Sequence, residues 1–235
     1  MGILGVIGGL GPMATALFME KVVEMTDAAS DQEHVQMIIY DMPTIPDRTR
    51  HILGLSEDDP SVEIIRIGKR LAADGACEIA IPCVTASYYH KEIERQVHIP
   101  IVNGIKETGE YLCQNLVKKV GIMATDGTMQ CRLFDTELSK CGIECIYPDE
   151  EHQKKVMHLI YNDVKAGKAA EMDIFNEVAE HLLEKGVNRI LLGCTELSVI
   201  KHKNQVPDAC LDVMEIMARR CVKDFGKLKK EWENL

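Results

Sequence analysis

Two cysteines with neighbouring hydroxyl residues are the part of this chain best suited to chemistry. Cys83 lies in Ile-Pro-Cys-Val-Thr at positions 81–85, and Cys194 lies in Leu-Gly-Cys-Thr-Glu at positions 192–196. Each follows a short apolar run that predicts a buried strand. Thiols just past the carboxyl ends of parallel strands lie where open α/β sheets bind ligands. A thiol and a thiolate can take a proton from one face of a carbon and return one to the other face. The alternative is that both cysteines are only packed at strand ends.

Strands and helices alternate along the chain, and these elements must position the two thiols. Apolar, β-branched runs predict strands at positions 3–7, 35–40, 78–81, 99–102, 120–123, 143–146 and 189–192. Apolar residues recurring at every third and fourth position predict helices at 14–26, 61–74, 106–116, 130–140, 150–166 and 170–185, with a last helix at 213–225. This order predicts an α/β fold with mainly parallel sheets that are covered on both faces.

The order of elements occurs twice. Each half opens with a strand, a tight turn and a helix, and each delivers a cysteine at the end of a later strand. The turn begins at Gly8 before Cys83 in the first half, and at Ala124 before Cys194 in the second. The repeat predicts two pseudo-symmetric three-layer α/β lobes with the active site in the cleft between them. We place the N-terminal lobe at 1–103 and the C-terminal lobe at 104–209, and expect the C-terminal helix, about 210–235, to pack back on the first lobe.

Composition narrows the possible partners. The net charge of the 235-residue chain is −10, and its lysines and arginines are scattered, so a nucleic-acid partner is not expected. The sequence has no basic leader and no apolar run that could span a bilayer, so membrane binding is not expected either. Nine cysteines without CxxC pairs fit a reducing, cytoplasmic location. No metal is expected, because the histidines, among them His90, His152, His158 and His181, show no paired ligand spacing.

A glycine-rich turn supports a rival interpretation. The segment from Gly9 through Gly11 to Ala14 follows a strand and matches a GxGxxG/A pattern, and Asp41 ends the next strand where an acid could bind a ribose. A nucleotide-dependent oxidoreductase is therefore one candidate, although it leaves the repeat and Cys194 unexplained. The other interpretation is that Gly9 and Gly11 allow a tight turn with room for a small anion at the helix N-terminus.

Six segments, taken together, resemble the aspartate/glutamate racemase family, and most closely its aspartate racemase branch. They occur in the expected order over nearly the whole chain, at positions 8–15, 45–49, 82–86, 124–128, 164–167 and 193–196. Glu196 favours the aspartate branch, since the glutamate branch usually has histidine after its second Cys-Thr pair.

The resemblance implies a pyridoxal-independent, cofactor-free racemase that interconverts L- and D-aspartate, with glutamate as a second possible substrate. Cys83 and Cys194 would be the opposed acid and base. A homodimer is also implied. The remaining site residues would be Thr85, Thr125 and Thr195 at the α-carboxylate or α-ammonium end, Arg48 and Lys165 at the distal carboxylate, and Gly9, Gly11 and Glu196 in support. An arginine can bind a carboxylate through two parallel hydrogen bonds, and a lysine adds a point charge.

Two residues depart from the family pattern. Val84 stands where the family usually has asparagine, and Ser87 where the aspartate branch commonly has histidine. Val84 lies at the expected substrate site but cannot hydrogen-bond a carboxylate, and losing one such bond costs about 1.5–3 kcal/mol. The sequence therefore leaves open whether the substrate is a different or less polar molecule. Two further alternatives are an isomerase, lyase or decarboxylase of the same fold acting on a dicarboxylate, and a non-catalytic protein that binds small anions.

Overall fold

A computed structural model describes residues 2–233, and the chain divides into two compact units. Unit 1 contains the chain up to Gly104 together with the segment from Met214 onward, and unit 2 contains Ile105–Val213. Each unit has its own parallel sheet with helices packed around it. The predicted α/β class with parallel sheets in two lobes is thus confirmed. Among residues 2–233, no helix is both long enough and apolar enough to span a membrane.

Unit 1 is built on a three-stranded parallel sheet in the order β2-β1-β3. Val6 of the central strand pairs with Ile39 on one side and with Ala80 on the other. The strands are β1 (Ile3–Gly8), β2 (Met37–Asp41) and β3 (Ala76–Ala80). The helices of unit 1 up to its boundary are α1 (Pro12–Met25), α2 (Arg48–Ile52), α3 (Pro60–Ala73) and α4 (His90–Val97). Its core cluster includes Ile7, Ile64, Leu71, Ile79 and Cys83.

The prediction of a strand at 99–102 was wrong. This segment makes only an isolated parallel bridge, between Ile79 and Ile101. Ile79 N donates to Pro100 O (2.9 Å), and Val102 N donates to Ile79 O (2.8 Å). Pro100 has no N–H to extend the ladder, so the segment lies beside β3 without becoming a full strand.

Unit 2 is built on a four-stranded parallel sheet in the order β5-β4-β6-β7. The strands are β4 (Lys119–Met123), β5 (Glu144–Ile146), β6 (Arg189–Leu192) and β7 (Cys210–Asp212). Strand β7 differs from the prediction, because its three residues lie in the segment of about 210–235 that the sequence predicts as the C-terminal helix. Within the sheet, Met123 pairs with Leu192, and Leu192 pairs with Asp212.

Two helices of unit 2 differ from the prediction. The helix predicted at 130–140 is broken at Arg132, which has a positive φ of 45°. The helix predicted at 150–166 begins as an α-helix and continues as a π-helix, His158–Val164. The α-helices of this region are α5 (Gly104–Gln114), α6 (Asp126–Gln130), α7 (Leu133–Leu138), α8 (Glu150–Met157), α9 (Met172–Glu184) and α10 (Thr195–Lys203). The last helix, α11 (Val213–Phe225), and 3-10 turns at Asp31–Glu33, Val84–Tyr89, Ser139–Cys141 and Lys230–Trp232 complete the fold.

The two sheets share one plan. In each, the strand that comes first along the chain is flanked by the next two, giving β2-β1-β3 in unit 1 and β5-β4-β6 in unit 2. Cys83 follows β3, and Cys194 follows β6. The two thiols therefore occupy equivalent positions of the repeat, past the carboxyl end of the corresponding strand.

Candidate active site

Cys83 begins a turn just past the end of β3. Its backbone N–H donates to Ile81 O (2.7 Å), and its carbonyl accepts from Ala86 N (3.1 Å). These bonds lead directly into the 3-10 turn Val84–Tyr89. The cysteine is buried, with 7% of its surface exposed, and Val84 and Thr85 beside it are buried as well. The turn therefore presents a thiol, an aliphatic side chain and a hydroxyl from a largely apolar setting.

Arg48 lies at the start of α2 and is not an ordinary surface cation. Only 7% of its surface is exposed. Its guanidinium donates to Leu10 O (3.0 Å) and to Pro46 O (3.0 Å). Asp47 caps the helix by accepting from Arg50 N (2.9 Å). Arg48 thus ties the turn after β1 to the loop before α2, in addition to any contact with a ligand.

The glycine turn after β1 is packed against the end of β2. Gly9 has a φ of +89°, and a side-chain carbon there would lie 2.3 Å from the carbonyl carbon of Met42. Its N–H donates to Thr15 Oγ1 (2.9 Å). Gly11 is the N-cap of α1. Only glycine combines this backbone conformation with this close approach.

Cys194 caps α10 and is hydrogen-bonded to a buried carboxylate. Its Sγ donates to Glu196 Oε2 at 2.9 Å, and Thr195 Oγ1 donates to the same oxygen at 3.4 Å. All three residues are buried, with exposed fractions of 3–6%. Glu196 therefore has a direct partner in the thiol, a relation that the sequence had indicated only as general support.

Burial raises the pKa of Cys194 well above its ordinary value. The negative charge of Glu196 raises the pKa further, and the positive charge of Lys165 acts in the opposite direction. The effects that raise this pKa outweigh the effect of Lys165, so the environment favours the protonated thiol over the thiolate. The protonated thiol is the form that acts as an acid in proton transfer.

Thr125 and Lys165 approach the same end of unit 2 from different elements. Thr125 follows β4 and caps α6, with Oγ1 accepting from Thr128 N (3.3 Å). Gly193 N donates to Met123 O (2.8 Å), so the turns after β4 and β6 are neighbours. Lys165 follows the π-helix and is exposed, with Nζ 4.1 Å from the ring centroid of Tyr161.

Two residues that support this end of unit 2 were missed by the sequence analysis. Gln153 Nε2 donates to Ala124 O (3.0 Å) and to Asp126 Oδ1 (2.7 Å), which fixes the turn after β4. Asp163 is buried and accepts from Glu171 N (3.1 Å), closing the loop that follows Lys165. Neither residue lies in a motif, and their contacts become visible only in the folded chain.

The predicted site residues fall into two groups, one in each unit. Unit 1 holds Gly9, Gly11, Arg48, Cys83, Val84 and Thr85, and unit 2 holds Thr125, Lys165, Cys194, Thr195 and Glu196. Within each group, most members lie at the carboxyl ends of adjacent parallel strands. Each group therefore lies where parallel sheets present their chemistry.

Comparison with known proteins defines the class of this fold and site. Residues 7–221 match the family model described as Asp/Glu/hydantoin racemase, and the chain belongs to this family. Membership supports amino-acid racemase activity, and hence an isomerase, as the function class.

Individual relatives cover the chain almost completely. An aspartate racemase of Picrophilus torridus has a solved structure that is 32% identical, covers 100% of both chains and has a TM-score of 0.84. The broad specificity amino-acid racemase RacX of Bacillus subtilis is 26% identical over 231 residues, which are 94% of this chain and 97% of the relative. The glutamate racemase of Francisella tularensis, solved in complex with D-glutamate, is 18% identical with a TM-score of 0.66 over 94% of this chain and 80% of its own. The last similarity concerns the fold alone.

Proposed function

We propose that this protein is a cofactor-independent racemase that interconverts L- and D-aspartate, with Cys83 and Cys194 transferring protons on opposite faces of the α-carbon. The observation that carries the proposal is the placement of two buried cysteines after corresponding strands of a repeated sheet. Family membership and the similarity to an aspartate racemase over the full chain support it.

The environment of Cys194 supports one half of the proton transfer. A protonated thiol delivers a proton to the α-carbon, and its thiolate must later be reprotonated for the next turnover. Glu196 raises the pKa of Cys194 and so strengthens its preference for the protonated form. In the opposite direction, Cys194 must act as a base. In that direction the positive charge of Lys165, which lowers the pKa of Cys194, favours the thiolate that accepts the proton.

Recognition of the substrate requires cations, since aspartate carries two carboxylates. Lys165 lowers the pKa of Cys194, so its charge reaches the reacting thiol. The buried guanidinium of Arg48 supplies a second positive charge, in unit 1. We assign Lys165 to the distal carboxylate of the substrate and Arg48 to the same carboxylate.

An α-proton exchange screen tests this function. The full-length protein is incubated in heavy water with each antipode of the common amino acids, and loss of the α-proton signal is followed by proton NMR. We expect exchange with both L- and D-aspartate, and loss of exchange in Cys83→Ser and Cys194→Ser. Cys77→Ser is the control, because Cys77 is an exposed cysteine of β3. Absence of exchange with every acidic amino acid contradicts the proposal.

A second candidate, a racemase of broad specificity, is favoured by Val84. This buried aliphatic side chain directly follows Cys83, and the full-length relative from Bacillus subtilis is described as having broad specificity. A pocket with one fewer polar anchor tolerates side chains that lack a distal carboxylate. The same screen separates the two candidates, since broad specificity predicts exchange with neutral as well as acidic amino acids at comparable rates.

A further inference from the structure

The backbone that carries Lys165 is anchored on both sides. Lys165 follows the π-helix His158–Val164, and its N–H donates to Ile160 O at 3.0 Å, which is the bond to the fifth preceding residue that defines a π-helix. Ile160 is fully buried. After Lys165, the N–H of Lys168 donates to the carbonyl of buried Asp163 at 2.9 Å. The fold therefore fixes the point from which the Lys165 side chain begins.

The backbone alone does not set the position of the Lys165 ammonium group. The residue is exposed, and a lysine carries its charge on a long, flexible hydrocarbon stem. Ordering such a side chain when a ligand binds costs conformational entropy and weakens binding. A neighbouring group that holds the ammonium in place beforehand removes part of this cost.

The ring of Tyr161 is such a group. Lys165 Nζ lies 4.1 Å from the centroid of this ring, well within the range of about 6 Å for a cation–π contact. Tyr161 is half-buried and directly follows Ile160 in the π-helix, so its backbone is anchored in the core of unit 2. An ammonium group has three N–H donors, and a ring face meets only one side of it. The contact therefore leaves the opposite side of the ammonium accessible to a carboxylate.

We propose that Tyr161 is a positioning residue, which holds the Lys165 ammonium in place for the distal carboxylate of the substrate. This inference rests on the proposed function, in which Lys165 binds that carboxylate. Tyr161 acts through Lys165 and is assigned no contact of its own with the substrate. The competing explanation is that the ring only packs against the hydrocarbon stem of the lysine and stabilises the fold. The two explanations differ in what they predict for substrate binding.

The surroundings of Tyr161 tolerate the substitutions that separate these explanations. The residue borders a cavity of about 620 Å³ in unit 2, which Met129 and Met157 also line. A smaller leucine therefore enlarges an existing cavity and keeps an apolar side chain beside the two methionines. Tyr161→Phe retains the ring face, whereas Tyr161→Leu removes it. Both variants lose the hydroxyl group, so the comparison between them isolates the ring.

Steady-state racemisation of aspartate by the full-length protein tests the role in binding, with thermal unfolding as a check of the fold. Tyr161→Leu should raise KM by about 3–10-fold and change kcat less than about twofold, because the cost of ordering the lysine then falls on binding. Tyr161→Phe should keep KM within about twofold of the wild-type value. Equal KM values in the two variants of an active enzyme overturn this inference alone. An inactive wild-type protein overturns the proposed function as well.

Two further measurements show whether the effect passes through Lys165. In a double-mutant cycle, Tyr161→Leu and Tyr161→Phe should give the same KM once Lys165→Gln has removed the ammonium. NMR of protein with ¹³C-labelled lysine tests the contact without activity, since the ring shifts the Cε proton signal of Lys165, which Lys165→Gln identifies. This shift should persist in Tyr161→Phe and vanish in Tyr161→Leu. A KM difference that survives in the Lys165→Gln background, or a Lys165 signal unchanged in Tyr161→Leu, overturns the inference.

Discussion

The two cysteine turns share a position in the fold but differ in chemistry. After β3, Cys83 is followed by aliphatic Val84 and packs in the apolar core of unit 1. After β6, Cys194 donates to the buried carboxylate of Glu196 and feels the charge of Lys165. A repeated backbone therefore fixes where the thiols lie, and the next one or two residues set how each behaves. The difference predicts that the two thiols are not interchangeable in proton transfer.

Removal of either thiol should have the largest effect. A serine hydroxyl is a far weaker acid than a thiol and is not ionised near neutral pH, so Cys83→Ser and Cys194→Ser should each lower the rate of racemisation by about 10³-fold, or about 4 kcal/mol in the barrier. Chiral chromatography of the aspartate product measures this. Exposed Cys77 and Cys113 provide serine controls in unit 1 and unit 2. Near-normal rates in either site variant would remove that thiol from the mechanism.

Substitution of glycines near the two turns compares how firmly the units hold them. Gly9→Ala places a carbon against the backbone of Met42 at a positive φ, whereas Gly193→Ala places one 2.8 Å from the Phe134 ring. Each should reduce the free energy of unfolding by about 1–3 kcal/mol. Phe134→Leu should partly restore the stability of Gly193→Ala, because the close contact there is with a side chain that a smaller residue can relieve. The contact at Gly9 is with backbone atoms and has no such remedy. Urea unfolding measures both effects, and an undiminished stability of Gly9→Ala would contradict the tight approach to Met42.

Val84→Asn tests the polar difference between the turns. If the site accepts an acidic substrate, an added hydrogen bond to a carboxylate should increase kcat/KM for aspartate by about tenfold, near the lower limit for bonds to charged groups. The ratio of activity on aspartate to activity on neutral amino acids should rise as well. Val84→Ala is the matched control, since it opens space without adding a donor. Equal changes in the two variants would show that space, rather than hydrogen bonding, matters at this position.

Glu196→Gln should produce the smallest change, a displaced pH profile. The carboxylate raises the pKa of Cys194, so its neutralisation lowers that pKa. The part of the rate profile in which Cys194 acts as a base should therefore move to lower pH. Lys165→Gln should move it to higher pH, because the lysine charge lowers the pKa of Cys194. Lys168→Gln is the control on an exposed lysine. Shifts in the same direction for both variants would contradict the electrostatic account.

The sequence predicted the repeated α/β plan because its apolar runs are well separated and each contributes one strand. It could not predict β7, which is only three residues long, or the absence of a strand at 99–102, which depends on Pro100. These outcomes depend on pairing partners that are distant in sequence. The homodimer, the cytoplasmic location and the lobe boundaries stay predictions.

The candidate site, like the fold, was predicted only where local sequence determines it. Both cysteine turns follow from local motifs, whereas the backbone bonds of Arg48 and the contact of Gln153 with the turn after β4 depend on tertiary structure. Cys194 and Glu196 are close in sequence, but only the path of α10 brings the carboxylate back to the thiol. Residue types near a motif were therefore predictable, and their partners were not.

Isotope partitioning in heavy water tests the central claim, proton transfer by two cysteines on opposite faces, most directly. Each antipode of aspartate is converted for less than one tenth of the reaction (about 10%), within the initial-rate regime, and deuterium is measured separately in product and remaining substrate. Two bases predict product that carries solvent deuterium, while the remaining substrate keeps its α-proton, from either antipode. Deuterium entering the remaining substrate as fast as the product, or product that keeps the original proton, would contradict the account.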